Sequence, residues 1–159
     1  MGSRSNVQLA YIAGFLDGDG SLMLQIKKRN DSKLKGRFMC TICFYQDSRH
    51  EKPLYWIKKV LKIGYISKRN DGMTELRING YKQVKEILRS LMPFIKFKTN
   101  QAKALLKATD ILNQKTARLL SKKDLLKLVD QMLIIQQHNY VTKKKKTRED
   151  ILSMLGLTP

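Results

Sequence analysis

In the stretch Ser21–Lys28, SLMLQIKK, side chains alternate between two characters. Leu22, Leu24 and Ile26 fall on one side of an extended chain, and Met23, Gln25 and Lys27 on the other. The stretch RFMCTICFY repeats the pattern. It places Phe38, Cys40, Ile42 and Phe44 inside and Arg37, Met39, Thr41 and Cys43 outside, and the polar loop RNDSKLKG joins the two as a hairpin. A second hairpin, YISKRNDGMTELRI, turns at Asp71-Gly72 and is closed by Asn79-Gly80. Its inner side carries Ile66, Leu76 and Ile78, and its outer side Tyr65, Ser67, Arg69, Glu75 and Arg77. Two hairpins with one apolar side each demand an antiparallel sheet covered on that side only.

Helical periodicity supplies the cover. Val7 to Leu16 reads as a helix capped by Ser5 or Asn6 and ending at DGDG. PLYWIKKVLKIG begins with a proline suited to a first turn and stops at Gly64, and YKQVKEILRSLM stops before Pro93. TNQAKALLKATDIL, SKKDLLKLVDQMLIIQQH and REDILSML follow, with Ser121–Asp124 and Thr147–Asp150 in capping-box spacing. The expectation is one α+β domain over residues 1–159 with an α-β-β-α-β-β-α core at about 6–112. Its helices lie on one side of the sheet, and further helices fill about 113–159. The run Lys143–Arg148, KKKKTR, is either a solvated linker or a segment that grips phosphates.

Thirty-two Lys/Arg against thirteen Asp/Glu give a formal charge of +19. Self-repulsion of that size calls for a polyanion, and nucleic acid is the obvious one. No apolar run approaches the roughly 18 residues of a membrane span, and the first apolar stretch runs into Asp17 and Asp19, unlike a secretory leader. Cys40 and Cys43 sit on opposite sides of a strand and lack two further zinc ligands in paired spacing. They read as a core and an outer-face thiol in a reducing compartment.

The stretch GFLDGDGS, Gly14–Ser21, is the chemical oddity. A calcium loop opening at Asp17 would need glycine where Leu22 stands and a carboxylate where Lys28 stands, so that reading fails. The preceding helix carries Ala10, Ala13, Gly14 and Gly18 at spacings of three to four, a thin stripe suited to close approach of a second helix. Asp17 and Asp19 lie at the negative pole of that helix, where carboxylates are disfavoured unless a cation reverses the interaction. Pairing about a two-fold axis would bring four such carboxylates together and favour Mg²⁺.

Ile12–Gly20, IAGFLDGDG, resembles the LAGLIDADG motif of homing endonucleases, with the single-motif, homodimeric type indicated by the chain length. PFIKFKTNQA, Pro93–Ala102, is similar to a segment of the chloroplast members. The resemblance covers nearly the whole chain and implies a site-specific, intron-encoded endonuclease. Such an enzyme cuts a long pseudo-palindromic double-stranded DNA site to short 3′ cohesive ends. It implies Asp19 and the Gly18 carbonyl as metal ligands, and Asp19, Gln46 and Lys98 as catalytic residues, with Arg49 or His50 at a further basic position. It implies a dimer interface at Ala10, Ala13, Gly14 and Asp17. A saddle-shaped sheet would lie in the major groove, with contacts from Met23, Gln25, Lys27, Arg37, Met39, Thr41, Cys43, Tyr65, Ser67, Arg69, Glu75 and Arg77. Mg²⁺ is the implied cofactor; Mn²⁺ substitutes for it, and Ca²⁺ binds without supporting cleavage. The location is inside a cell, in a chloroplast, mitochondrion or prokaryotic cytoplasm. The alternative on the same scaffold is an intron RNA maturase or a non-cleaving DNA-binding protein.

Overall fold

The computed structural model describes residues 4–30, 36–116, 119–139 and 143–157. Helix α1 (Asn6–Asp19) opens on Ser5, whose hydroxyl accepts the Gln8 N–H while the Gln8 side chain accepts the Ser5 N–H. It does not end at Leu16. The last turn runs through Asp17-Gly18-Asp19, and strand β1 (Gly20–Lys28) begins at the next residue. The motif that reads as a glycine-rich loop is therefore helix followed at once by strand.

Strand β2 (Gly36–Asp47) pairs with β1, and Gly20 stands opposite Phe44. After a short 3₁₀ turn at Ser48–His50 comes α2 (Lys52–Leu61), then β3 (Tyr65–Lys68) and β4 (Met73–Asn79). The sheet order is β1-β2-β4-β3, all antiparallel, as two hairpins joined through their second strands require. Helix α3 (Tyr81–Leu91) and a 3₁₀ turn at Met92–Phe94 lead into α4 (Thr99–Gln114). Helices α5 (Lys122–His138) and α6 (Arg148–Met154) carry the Ser121–Asp124 and Thr147–Asp150 capping boxes.

The inner side chains of the sheet meet the apolar stripes of the helices. Ile12, Leu16, Leu22, Ile42, Phe44, Ile57, Leu76, Ile78 and Leu88 are essentially removed from water. The same buried cluster continues through Leu105 of α4, Leu128 and Val129 of α5, and Ile151 of α6. Among the described residues, no helix is long and apolar enough to cross a membrane.

Gly64 does not stop α2. That helix ends two residues earlier, with Lys62 in the left-handed region at φ 58° and its N–H on the Lys58 carbonyl. Gly64 has φ 101°, and a Cβ there would lie 2.8 Å from Leu76 Cδ1 and 3.0 Å from the Arg77 carbonyl oxygen. It lets the chain enter β3 tightly against β4. Gly64→Ala should lower unfolding free energy by about 1–3 kcal/mol through backbone strain and this crowding. Urea titration measures it, and a loss below about 0.5 kcal/mol would mean that the turn relaxes freely.

Candidate metal-binding tip and nucleic-acid interface

Two residues of an α-helix span about 200° of rotation, so Asp17 and Asp19 face opposite ways. Asp17 is buried with Leu9, Ile12, Ala13 and Leu16, and Asp19 is exposed. Asp17 Oδ2 accepts the Lys96 N–H at 2.7 Å and the Phe97 N–H at 3.2 Å, and Oδ1 accepts the Lys98 N–H at 3.0 Å. One carboxylate thus satisfies three successive amides ahead of α4. Lys98 Nζ returns to donate to the Asp17 carbonyl oxygen at 2.6 Å. Desolvation lowers the Lys98 pKa below its ordinary value, while the Asp17 and Asp19 carboxylates pull it back up.

Asp17 is therefore turned into its own chain and does not belong to a dimer face. Ala13 is likewise fully buried inside the chain, on the face of α1 that meets the sheet. The exposed face carries Val7, Ala10, Tyr11, Gly14 and Gly18. An added Cβ at Gly14 or Gly18 would meet nothing within 4 Å. Among the described residues nothing thus explains these glycines, although each costs a helix about 1 kcal/mol relative to alanine. Tyr11 packs edge-to-face on Trp56 at 5.3 Å, and with Val7 and Pro53 they line an apolar hollow of about 380 Å³. Phe97, held out by the Asp17-bound loop, is 86 % exposed.

The tip offers hard oxygen donors. Asp19 presents a carboxylate, and the carbonyl of Gly18 lies in the last helical turn, where carbonyls lack intrahelical partners. One carboxylate and one carbonyl suit Mg²⁺, which keeps several waters and shares its remaining positions with phosphate. Among the described residues no group of three His, Cys, Asp or Glu side chains could hold a metal alone. Gln46 lies near the end of β2, two residues past Phe44, the partner of Gly20, and its Oε1 accepts the Asp47 N–H at 2.9 Å. Arg49 pairs with Asp47 through Nε at 3.0 Å and Nη2 at 2.8 Å, which holds that carboxyl well below the usual range. His50 is exposed on the same turn.

On the outer side of the sheet, Gln25, Lys27, Arg37 and Tyr65 are exposed, and Met23, Met39, Ser67 and Arg77 partly so. Arg69 is exposed at the β3–β4 turn. Three predicted contacts are not available. Thr41, Cys43 and Glu75 face outward, as the alternation requires, but are buried under longer neighbours. Thr41 donates to Asn79 Oδ1 at 2.7 Å, and Asn79 Nδ2 donates to the Tyr65 hydroxyl at 3.2 Å. Cys43 donates to Glu75, and burial pushes its thiol up to about 11.

Sequence reasoning missed three features. Asn79 shares the outward parity of Arg77, a signal obscured by reading it as a turn residue. Tyr45, bonded to Ser21 at 2.9 Å, also lies on this side. The basic run is not a free linker. The Gln136 side chain accepts the Lys146 N–H at 2.9 Å and donates to its carbonyl at 2.6 Å. This pins the run beside the edge of β1, where Lys144 and Lys146 border a cleft of about 620 Å³ shared with Gln25 and Lys27.

A family model described as LAGLIDADG endonuclease matches residues 12–112. DNA endonuclease I-CvuI of Chlorella vulgaris is 31 % identical over 143 residues, covering 90 % of this chain and 84 % of that protein. DNA endonuclease I-CreI of Chlamydomonas reinhardtii is 32 % identical over 99 residues, covering 62 % of this chain and 60 % of that protein. The crystal structure of I-CvuI with its target in the presence of 2 mM Ca aligns with a TM-score of 0.78 at 28 % identity, over 96 % of this chain and 97 % of that one. An archaeal intron-encoded homing endonuclease complexed with DNA, I-Vdi141I, aligns at 0.80 and 19 % identity over 95 % and 96 % of the two chains, a likeness of fold.

The opposite orientations of the two aspartates give unequal stability effects. Asp17→Asn should lower unfolding free energy by about 1–3 kcal/mol, because buried N–H groups lose charged acceptors. Asp19→Asn should leave it unchanged or raise it by a few tenths, because a carboxylate leaves the negative helix pole. Equal losses in denaturant titrations would refute the inward-outward division.

Proposed function

The chain belongs to the LAGLIDADG endonuclease family, and from that premise we propose that it is a site-specific double-strand DNA endonuclease. It works as a homodimer with a divalent metal on a long pseudo-palindromic target. The observation that carries the reading is the end of α1: two glycines whose missing Cβ no described residue explains, followed by an exposed carboxylate beside a carbonyl of the last helical turn. Glycines whose missing Cβ is explained by none of the described residues fit the close approach of a second copy of α1. Val7, Tyr11 and Trp56 extend that face with exposed apolar surface, and Phe97 is exposed on the loop held by Asp17. The dimer places one Asp19 tip toward each strand, which fits two cuts across one two-fold axis. The setting is intracellular, in an organelle or a prokaryotic cytoplasm.

Asp19 and the Gly18 carbonyl hold Mg²⁺ in this reading. A bound divalent ion supplies Lewis acidity toward the phosphodiester and lowers the pKa of its water. Lys98, tethered 2.6 Å from the Asp17 carbonyl, sets an ammonium beside the same tip to face charge developing on phosphate. Gln46 presents its amide to orient water. The outer sheet face supplies side chains for the major groove, and Lys144 and Lys146 extend the positive surface past its β1 edge.

Asp19→Asn should abolish cleavage of the target while duplex binding persists; cutting at the wild-type rate would remove Asp19 from the metal site. Chelation by EDTA should stop the wild-type enzyme, and added Mg²⁺ should restore it. Phe97→Asp and Gly14→Leu should each shift the sedimenting species from dimer to monomer and lose double-strand cutting together. A wild-type protein that sediments as a monomer on DNA would overturn the shared-helix arrangement. Incubation with intron RNA in a splicing assay, beside the DNA assay, separates this reading from a maturase.

A further inference from the structure

The outer face of the sheet holds one cluster whose electrostatics run against the rest of the molecule. Glu75 is 6 % exposed in the middle of a surface expected to meet a polyanion. Its Oε2 accepts from Arg77 Nε at 2.5 Å and from Cys43 Sγ at 3.7 Å. Its Oε1 faces Arg69 Nη1 at 3.3 Å, and Arg69 Nη2 reaches Asp71 at 2.7 Å. Two arginines and two carboxylates make the cluster locally neutral in a chain of formal charge +19. A cation meant only to attract phosphate gains nothing from a buried counter-charge. A side chain that must present a fixed geometry to a base edge does.

The two arginines are held differently. Arg69 spends both terminal nitrogens on carboxylates. Arg77 is gripped at Nε alone, and among the described residues its Nη1 and Nη2 make no hydrogen bond. Its side chain is 32 % exposed, and the register sets it between Cys43 on β2 and Tyr65 on β3. The inner edge of this guanidinium is anchored and its outer fork is free. Two parallel N–H donors in that arrangement match O6 and N7 of guanine in a major groove.

Resting on the DNA reading above, we propose that Arg77 is a specificity-determining residue that reads one guanine in each half-site. Glu75 is the positioning residue that aims it and does not itself touch a base. Cys43 completes the seat from below, donating its thiol to the same oxygen that holds Arg77. Arg69 and Asp71 keep the second oxygen of Glu75 paired, so the carboxylate stays in place when the free fork is engaged by DNA.

The full-length protein is incubated with a pool of randomised double-stranded DNA, and the bound duplexes are sequenced for the wild type, Arg77→Lys, Glu75→Gln and Cys43→Ser. The wild type should enrich a site with a guanine at the same distance from the centre in both halves. Arg77→Lys should lose preference for that guanine by roughly 5- to 150-fold and leave other positions intact. Glu75→Gln should lose preference at the same position while binding random duplex more tightly, because each protomer gains one positive charge. Cys43→Ser, which keeps a donor, should retain the preference.

If Glu75→Gln keeps the guanine and loses a cytosine elsewhere, Glu75 is itself a reader and the inference fails. If Arg77→Lys weakens all sequences equally, Arg77 is a phosphate contact and it also fails. Should Glu75→Gln not fold, Arg77→Lys and Cys43→Ser still decide the matter, because both leave the buried carboxylate in place. A wild type that enriches no duplex at all overturns the DNA reading itself, a result distinct from either of these.

Discussion

One buried carboxylate organises the tip of α1. Asp17 reaches across from the last turn of α1 to the N–H groups of Lys96, Phe97 and Lys98. Three donors on one acceptor group fix a tight loop that has no other regular structure to hold it. Two consequences follow from that anchoring. Lys98 swings back so that its ammonium meets the Asp17 carbonyl, next to Gly18 and Asp19. Phe97, whose N–H is fastened inward, sends its ring outward. The position of the Lys98 ammonium and the exposure of an apolar side chain thus rest on one carboxylate turned into its own chain.

The opposite face of the same helix shows a different kind of constraint. A helix interior normally avoids glycine, and a glycine kept there usually answers to a neighbouring atom. Just past that helix, Gly20 opens β1, where a Cβ would fall 2.6 Å from Leu16 Cδ1 and 2.9 Å from the Leu16 backbone. Among the described residues, Gly14 and Gly18 answer to nothing within 4 Å. Their neighbours on that face, Val7 and Tyr11, are apolar and exposed, so the surface is poor as a solvated one and good as an interface.

Much of the fold was legible because its signals are local. The period-two alternation placed every inner residue of β1 and β2, and the Ser121–Asp124 and Thr147–Asp150 boxes start their helices at the expected residues. The helix end was misjudged because Gly and Asp read as loop formers. Burial of Asp17 against the 96–98 amides outweighs the propensity of three unfavourable residues. Outward direction was equally legible, and exposure was not. Thr41 and Cys43 are short side chains on a central strand, and Tyr65, Asn79, Glu75 and Arg77 close over them. Whether a small outward residue is reachable depends on the length of its cross-strand neighbours, which alternation does not reveal. The seat of the basic run lay further out of reach, because Gln136 and Lys146 meet only after the chain has turned back on α5.

The distribution of charge separates attraction from discrimination. The lysine-rich surface provides a long-range, salt-sensitive pull on any duplex, independent of sequence. Lys146, held by its backbone to the neutral Gln136 side chain, and Lys144 border the cleft at the sheet edge. At the centre of the sheet the opposite choice is made. Glu75 cancels charge where the groove floor would lie, and the molecule forgoes part of its attraction to hold a guanidinium in one orientation. A uniformly basic face would bind all sequences more tightly and separate them less. On the proposal that Arg77 reads a base, the buried carboxylate between two arginines lowers affinity for every duplex in order to raise the difference between them.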